Sequence, residues 1–436
     1  MSTTAIHAGW AGDDQHGALV PPIYATSAYG HRDHRSLKDL FARRSQGFAY
    51  SRSGNPTTAV LEQRITALEH GTAAIAVASG QAATTIALGA LLAPGTHLIA
   101  SDKLYGGTTE FLLDTLVDLG VSTTFVDPWD LDAWERAIRP ETRAVLVESI
   151  ANPGAELVDL DAISTIAHAH DVAVVVDSTL ASPALYRPGD HGADVVVHSA
   201  TKYLCGHGTT LAGLIVDTGR FDPRRCPERW TRLTEPNGRF GITFAAEYER
   251  GGSGLLAYAR AKYVTDLGAT LPAPSAQQVL IGIETLDLRM QRISEHAAAL
   301  AARLHEAPGI RRVDHPRIPG RPDAALAERD FPRGTAGVFS IDLVGGEESA
   351  AAFCDALQLF AIAVNIGDAR SLVCHPASTT HAHLSEAQRE ACGVGPGTVR
   401  LSIGLEDLED LAADLSRGLA AAAQRTTHPN ADQLVV

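Results

Sequence analysis

The sequence predicts an α/β protein with a mostly parallel central sheet, an N-terminal arm and a smaller C-terminal α/β domain. Three observations predict it. Between residues 61 and 217 helix-like and strand-like segments alternate, as they do in βαβ units. The strand-like segments are short and almost wholly apolar, as in Val174-Val175-Val176 and Val195-Val196-Val197, the pattern of strands covered on both faces. After residues 218–265, where periodicity lapses, a long helical stretch leads into a second set of strands and helices.

Residues 1–60 are rich in Gly, Pro, His and Tyr and only weakly periodic, so they read as an extended arm with short helices. Residues 61–265 read as the large domain. Its expected elements are helix 60–70, strand 74–78, helix 81–92, strand 96–100, helix 108–119, strands 121–126 and 143–147, helix 162–170, and strands 172–176, 194–197 and 213–216. Residues 218–265 read as an insertion of loops and one helix. Residues 266–436 form the expected C-terminal domain: a long helix 278–304, strand 337–343, helix 348–356, strand 398–403, a closing helix and a frayed polar end after about residue 424.

Bulk properties narrow the function. At 436 residues and 45% hydrophobic content the chain can bury a large core. A net charge of −15 speaks against nucleic acid or an anionic membrane as the partner. The five cysteines (Cys205, Cys226, Cys354, Cys374, Cys392) are odd in number and lack Cys-x-x-Cys spacing, which argues against a disulfide framework or a zinc site and for a reducing cytoplasm. Met1-Ser2-Thr3-Thr4 has no signal pattern, and no apolar run nears the roughly 20 residues of a membrane span.

Several polar residues stand where core strands end. His198-Ser199-Ala200-Thr201-Lys202 follows an apolar strand, the position at which open α/β sheets keep their sites. Lys202 can condense with an aldehyde and the hydroxyls suit a phosphate; pyridoxal phosphate (PLP) has both groups. Asp177 closes the strand Val174-Val175-Val176, and a carboxylate there calls for a cation such as a protonated pyridine nitrogen, or else caps the next helix. In Ser79-Gly80-Gln81 a strand turns into a helix whose first N–H groups suit a phosphate. Tyr105-Gly106-Gly107 also follows a strand, and its ring could stack on a flat cofactor. Tyr50-Ser51-Arg52 offers a phosphate-binding guanidinium in the arm. Arg400, inside the strand Val399-Arg400-Leu401, calls for an anion: a substrate carboxylate or an internal salt bridge. His375, His381 and His383 lack the accompanying cysteines or carboxylates of a metal site.

These motifs, their order and their spacing resemble the Cys/Met-metabolism family of PLP enzymes, fold type I. The likeness runs from His7-Ala8-Gly9 to Leu401-Ser402-Ile403-Gly404, with Asn152, Asp177 and Lys202 at equal intervals of 25 residues. The branch it most resembles is O-acetylhomoserine sulfhydrylase, through Glu148-Ser149-Ile150-Ala151-Asn152-Pro153, Asn365-Ile366-Gly367-Asp368 and His375-Pro376-Ala377-Ser378. Gln81 stands where the family often has Met, and Ala151 where the branch usually has Gly.

The resemblance implies PLP-dependent γ-replacement on an O-acylated homoserine by sulfide or a thiol. The alternatives are a PLP-dependent γ- or β-lyase of sulfur amino acids, or γ-replacement with a non-sulfur nucleophile in secondary metabolism. It implies that Lys202 is the Schiff-base lysine and proton shuttle, Asp177 the partner of the pyridine nitrogen, and Tyr105 the stacking ring and acid for the leaving group. Asn152 would sit by the ring hydroxyl, with Gly80, Gln81, Ser199 and Thr201 around the phosphate. Tyr50 and Arg52 would reach the same phosphate from a neighbouring subunit, making the protein a dimer at least, with a tetramer usual for the family. Arg400 and Asn365 would hold the substrate carboxylate, Tyr50 touching the substrate as well.

Overall fold

The computed structural model describes residues 1–12, 16–42, 44–335 and 337–427. Two sheets organise the chain. The larger has seven strands: β1 (Ala73–Val77), β2 (His97–Ser101), β3 (Ser122–Val126), β4 (Thr142–Glu148), β5 (Ala173–Asp177), β6 (Val195–His198) and β7 (Gly213–Asp217). They lie in the order β1-β7-β6-β5-β4-β2-β3, and only β7 runs antiparallel to its neighbours. Side chains alternate across this sheet, so each strand feeds two cores. Val174 and Val176 of β5 join one apolar cluster, and Val175, between them, joins the other. Burial of each such valine is worth about 1.5–3 kcal/mol.

The second sheet holds β8 (Ile310–Asp314), β9 (Val338–Leu343), β10 (Ala361–Ile362), β11 (Leu372–Cys374) and β12 (Thr398–Ser402), in the order β10-β11-β12-β9-β8. It is antiparallel except for the β10–β11 pair. Its core joins Phe339, Ile341, Val399 and Leu401 to Phe353, Leu411 and Leu415 from the helices Gly346–Ala356 and Leu408–Thr427. The last of these runs to Thr427, past the point where fraying is expected; the polar end beyond lies outside the described residues.

Three expectations are corrected. The long helix 278–304 is two helices, Ala273–Glu284 and Leu286–His305, broken at Thr285. The buried Arg289 guanidinium takes the carbonyls of Gly282 and Tyr203, at 2.6 and 2.9 Å, so the break leaves Gly282 O satisfied. Helix 108–119 is likewise two short helices, Gly106–Leu113 and Thr115–Asp118, interrupted at Asp114. Strands β8, β10 and β11 were not expected. Ile310-Arg311-Arg312-Val313-Asp314 is an edge strand whose exposed arginines hide the apolar alternation, and the other two are only two and three residues long.

Candidate active site

The C-terminal ends of the parallel strands, Arg400 of β12 and the loop between β10 and β11 enclose a cleft of about 890 Å³, open solvent included. Gly80, Gln81, Tyr105, Asn152, Asp177, Ser199, Thr201, Lys202 and Arg400 all line it. Topology explains the convergence. A parallel sheet brings the ends of β2, β4, β5 and β6 to one edge, and each right-handed crossover leaves its loop there.

Lys202 sits in the turn after β6. Its Nζ donates to Asn365 Oδ1 at 2.5 Å. Burial, and then the charge of Arg400, push its ammonium down to about 8. The turn is held from the far side by Gly367, which has φ +69° and no room for a side chain: a Cβ there would stand 2.8 Å from Tyr203 N.

Asp177 ends β5, with Oδ1 accepting the Thr179 N–H at 2.9 Å. Asp177 therefore closes a local turn and does not cap the next helix, Ser182–Leu185, whose N-cap is Ala181, and no cation is paired with Asp177 among the described residues. Burial raises its carboxyl, and hydrogen bonds from Thr179 and the charge of His198 oppose the rise. Beside it in parallel register lies Glu148 at the end of β4.

The phosphate-sized end of the cleft is built on the helix Gly80–Leu91. Ser79 caps it, its Oγ accepting the Ala82 N–H at 3.1 Å, and the N–H groups of Gly80 and Gln81 lie in the first turn. A Cβ on Gly80 would stand 2.5 Å from Ser199 Cβ and 2.8 Å from its Cα, so the helix start and the lysine turn touch backbone to backbone. Ser199 N–H is anchored on Thr179 Oγ1 at 2.7 Å. The Thr201 hydroxyl also has a partner within the protein. It lines the cleft, but donates to Ala212 O at 3.2 Å and accepts from Ala212 N–H at 3.0 Å, which ties the turn to the segment leading into β7.

Tyr105 stands just before the helix Gly106–Leu113, its ring half exposed and 2.8 Å from where a Gly107 Cβ would lie. Its backbone N–H donates to Glu148 Oε1 at 2.6 Å. Arg400 enters from β12. It is buried, donates to Asn152 Oδ1 at 3.3 Å and to Asn365 O at 3.2 Å, and has no carboxylate paired with it among the described residues. The internal salt bridge weighed for it is therefore not formed. A buried guanidinium with only neutral partners is a standing site for an anion.

Tyr50 and Arg52 are not brought into this cleft. Tyr50 lines a separate groove with Phe240 and Arg260; Arg52 lies over its ring at 5.5 Å and donates to Thr265 O. Ser79, Glu148 and Thr179 are among the wall residues to which the sequence assigned no role. Glu148 carries the same signal as Asp177, a carboxylate closing an apolar strand.

This set fits PLP. Lys202 offers an amine whose pKa is lowered to about 8 to an aldehyde, Asp177 an unpaired carboxyl to a pyridinium, and the start of the Gly80 helix a cradle that any side chain would fill. The family model for Cys/Met metabolism PLP-dependent enzymes matches residues 2–420. The chain belongs to this family. As a Cys/Met-metabolism enzyme it is PLP-dependent, and its relatives span almost its whole length. It is 40% identical to an O-acetyl-L-homoserine sulfhydrylase of Leptospira meyeri, covering 96% of each chain. It is also 40% identical to the sulfhydrylase FUB7 of Fusarium oxysporum f. sp. lycopersici, covering 97% of this chain and 98% of that one. A crystal structure from Campylobacter jejuni, described as an O-acetylhomoserine (thiol)-lyase with N'-pyridoxyl-lysine-5'-monophosphate, superposes with a TM-score of 0.92 at 34% identity, covering 96% of this chain and 99% of that one.

The glycine at the cradle gives a direct test of this family member. Gly80→Ala is expected to weaken PLP binding by about 10-fold or more, because overpacking against the Ser199 backbone costs about 1–3 kcal/mol and falls on the cradle itself. Titration of apoprotein with PLP measures it.

Proposed function

We propose that the protein carries out PLP-dependent γ-replacement on an O-acylated homoserine, O-acetylhomoserine in the first instance, with sulfide or a thiol displacing the acyloxy group to give homocysteine or methionine. The observation that carries this reading is the buried, uncompensated Arg400 facing the same cleft as Lys202 and Asp177, an arrangement suited to an amino acid held by its carboxylate over a reactive amine. The sulfhydrylase names of the relatives support the choice of substrate.

Bound PLP supplies an electron sink for the pair left when the substrate Cα–H bond breaks. The residues do the rest. Arg400, steadied by Asn152 and the Asn365 carbonyl, fixes the α-carboxylate and so aims Cα. The amine of Lys202, half neutral at pH 8, takes the Cα proton and then serves Cβ from the same position. Asp177 keeps the pyridine nitrogen protonated. The Tyr105 hydroxyl delivers a proton to the departing ester oxygen, and the sulfur forms its bond at Cγ. Ser199, Gly80 and Gln81 hold the phosphate; Thr201 acts by bracing the lysine turn on Ala212.

We further propose a homo-oligomer, a dimer at least and a tetramer by analogy with the family, in which Tyr50 and Arg52 complete a neighbour's phosphate site. Their position outside their own cleft supports this, as does an arm with Leu19 90% and Phe41 76% exposed. The five free cysteines favour the cytoplasm, and no described helix is long and apolar enough to cross a membrane. The division at residues 60 and 265 is proposed on the same footing, and limited proteolysis tests it.

The deciding experiment is a visible spectrum of the purified protein followed by product analysis with O-acetylhomoserine, O-succinylhomoserine and sulfide. Homocysteine from either ester supports replacement. An α-keto acid formed without any nucleophile would put elimination in its place.

The lowered pKa of Lys202 makes a second expectation. PLP uptake by the apoprotein should quicken about 10-fold per pH unit below pH 8 and level off above it, since a lowered pKa empties the ammonium form as pH rises through about 8. A rate still climbing toward pH 10.5 would mean an ordinary, solvated lysine.

A further inference from the structure

Two carboxyl groups close adjacent strands beneath the cleft, and the reaction outlined above uses only Asp177. Glu148 is 4% exposed and paired in register with Asp177, which places the two backbones about 4.8 Å apart. Its Oε1 accepts the Tyr105 N–H at 2.6 Å, while its Oε2 is buried without a partner. We propose that Glu148 is a positioning residue for this reaction, an uncharged carboxyl that fixes the backbone carrying Tyr105 and leaves Asp177 as the only anion beneath the cofactor ring. The inference rests on the PLP reading of the cleft.

The argument is electrostatic. Two buried carboxylates side by side cannot both ionise without cations, and one keeps its proton. The groups that face the pair are Asp177 and Glu148 themselves, Tyr105, Glu156, Cys392 and, behind Asp177, His198, which is paired with Glu69 at 2.7 Å. No lysine or arginine is ion-paired with either carboxyl among the described residues; the nearby Lys103 pairs with Asp102 at 3.3 Å. Asp177 has its Thr179 N–H and opens on the cleft, where a pyridinium can reach it. Glu148 does not open so freely, and its unpartnered Oε2 is where a proton is least costly. Burial first, and the charge of Asp177 second, push its carboxyl well above the usual range, against the pull of the Tyr105 and Asn152 N–H groups. An uncharged carboxyl still offers its carbonyl oxygen to Tyr105 N–H, so the anchor does not need the charge.

Two variants of the holoenzyme separate anchor from charge. Glu148→Gln keeps an accepting carbonyl without a charge. It is expected to lower kcat much less than Glu148→Ala does, and the pH midpoint of the bound cofactor's visible absorbance should not move. Glu148→Ala removes the anchor and should lower kcat about 10- to 100-fold, the cost of a misplaced Tyr105, while the absorbance midpoint again stays. A Glu148→Gln midpoint displaced by about one unit would overturn the proposal, because it would mean a charge had been removed beside Asp177. Wild-type kcat in Glu148→Ala would overturn it as well. If Glu148→Ala does not fold, the Glu148→Gln titration decides alone. Wild-type protein that takes up no PLP would instead sink the PLP reading.

Discussion

Replacing Lys202 with alanine is expected to lower kcat by about 10⁴-fold or more, since one amine serves proton transfers at both Cα and Cβ and each such transfer is worth about 10²–10⁴-fold. The fold should persist. Lys202 Nζ makes one hydrogen bond, to Asn365 Oδ1, and removing a buried amine that is already held down to about 8 relieves a desolvation cost. Circular dichroism and the thermal midpoint should therefore stay near wild type while turnover disappears. PLP should still bind through the Gly80 cradle and Asp177, but without the visible band of the lysine-bound form. A Lys202→Ala protein that kept turnover, or kept that band, would remove the basis of the proposed chemistry.

The second large effect belongs to Arg400. Arg400→Leu should raise KM for O-acetylhomoserine about 10²–10³-fold, because truncating one member of a buried, hydrogen-bonded charge pair costs about 2–5 kcal/mol. kcat should fall less, since the Lys202 amine is untouched. Arg400→Lys should recover only part of the loss: a lysine cannot present two N–H groups in the plane of a carboxylate while also holding Asn152 and the Asn365 carbonyl. Without substrate the sign reverses. A buried guanidinium with no counter-ion is a burden on the fold, so apo Arg400→Leu should unfold no earlier than wild type. An unchanged KM would show that the carboxylate binds elsewhere.

Much of this site was legible because a β-strand has period two and a parallel strand buries both faces. A charged residue closing an all-apolar run, such as Asp177 after Val176 or Lys202 just after β6, stands out against that pattern. Arg400 stands out for the same reason inside β12. Glu148 carried the same signal and was passed over, since its place in a recognisable motif drew the attention to Asn152. The bonding of the Thr201 hydroxyl could not be assigned from its neighbours: its partner, Ala212, lies across the turn, and only the path of the chain into β7 places that partner beside it. Nor could the break at Thr285, where the Gly282 carbonyl accepts from an arginine, Arg289, whose other acceptor, Tyr203, is 86 residues away. Short edge strands such as β10 have too few residues to show any period.

By itself the sequence determined which strands are covered on both faces, where polar groups interrupt them, and that an amine, a carboxyl and a guanidinium stand at such points. These are properties of a few consecutive residues, set by local periodicity and by the cost of burying a polar atom. The tertiary structure alone decided that Lys202 meets Asn365, that Arg400 faces the cleft with no carboxylate beside it, that Tyr50 and Arg52 stay outside it, and that Glu148 lies against Asp177 with an unmatched oxygen. Those contacts join segments far apart along the chain, and no local pattern encodes them. They exist because the fold brings residues of the second sheet and its loops to the ends of the first sheet's strands, and which side chains then touch is settled by the packing of both cores.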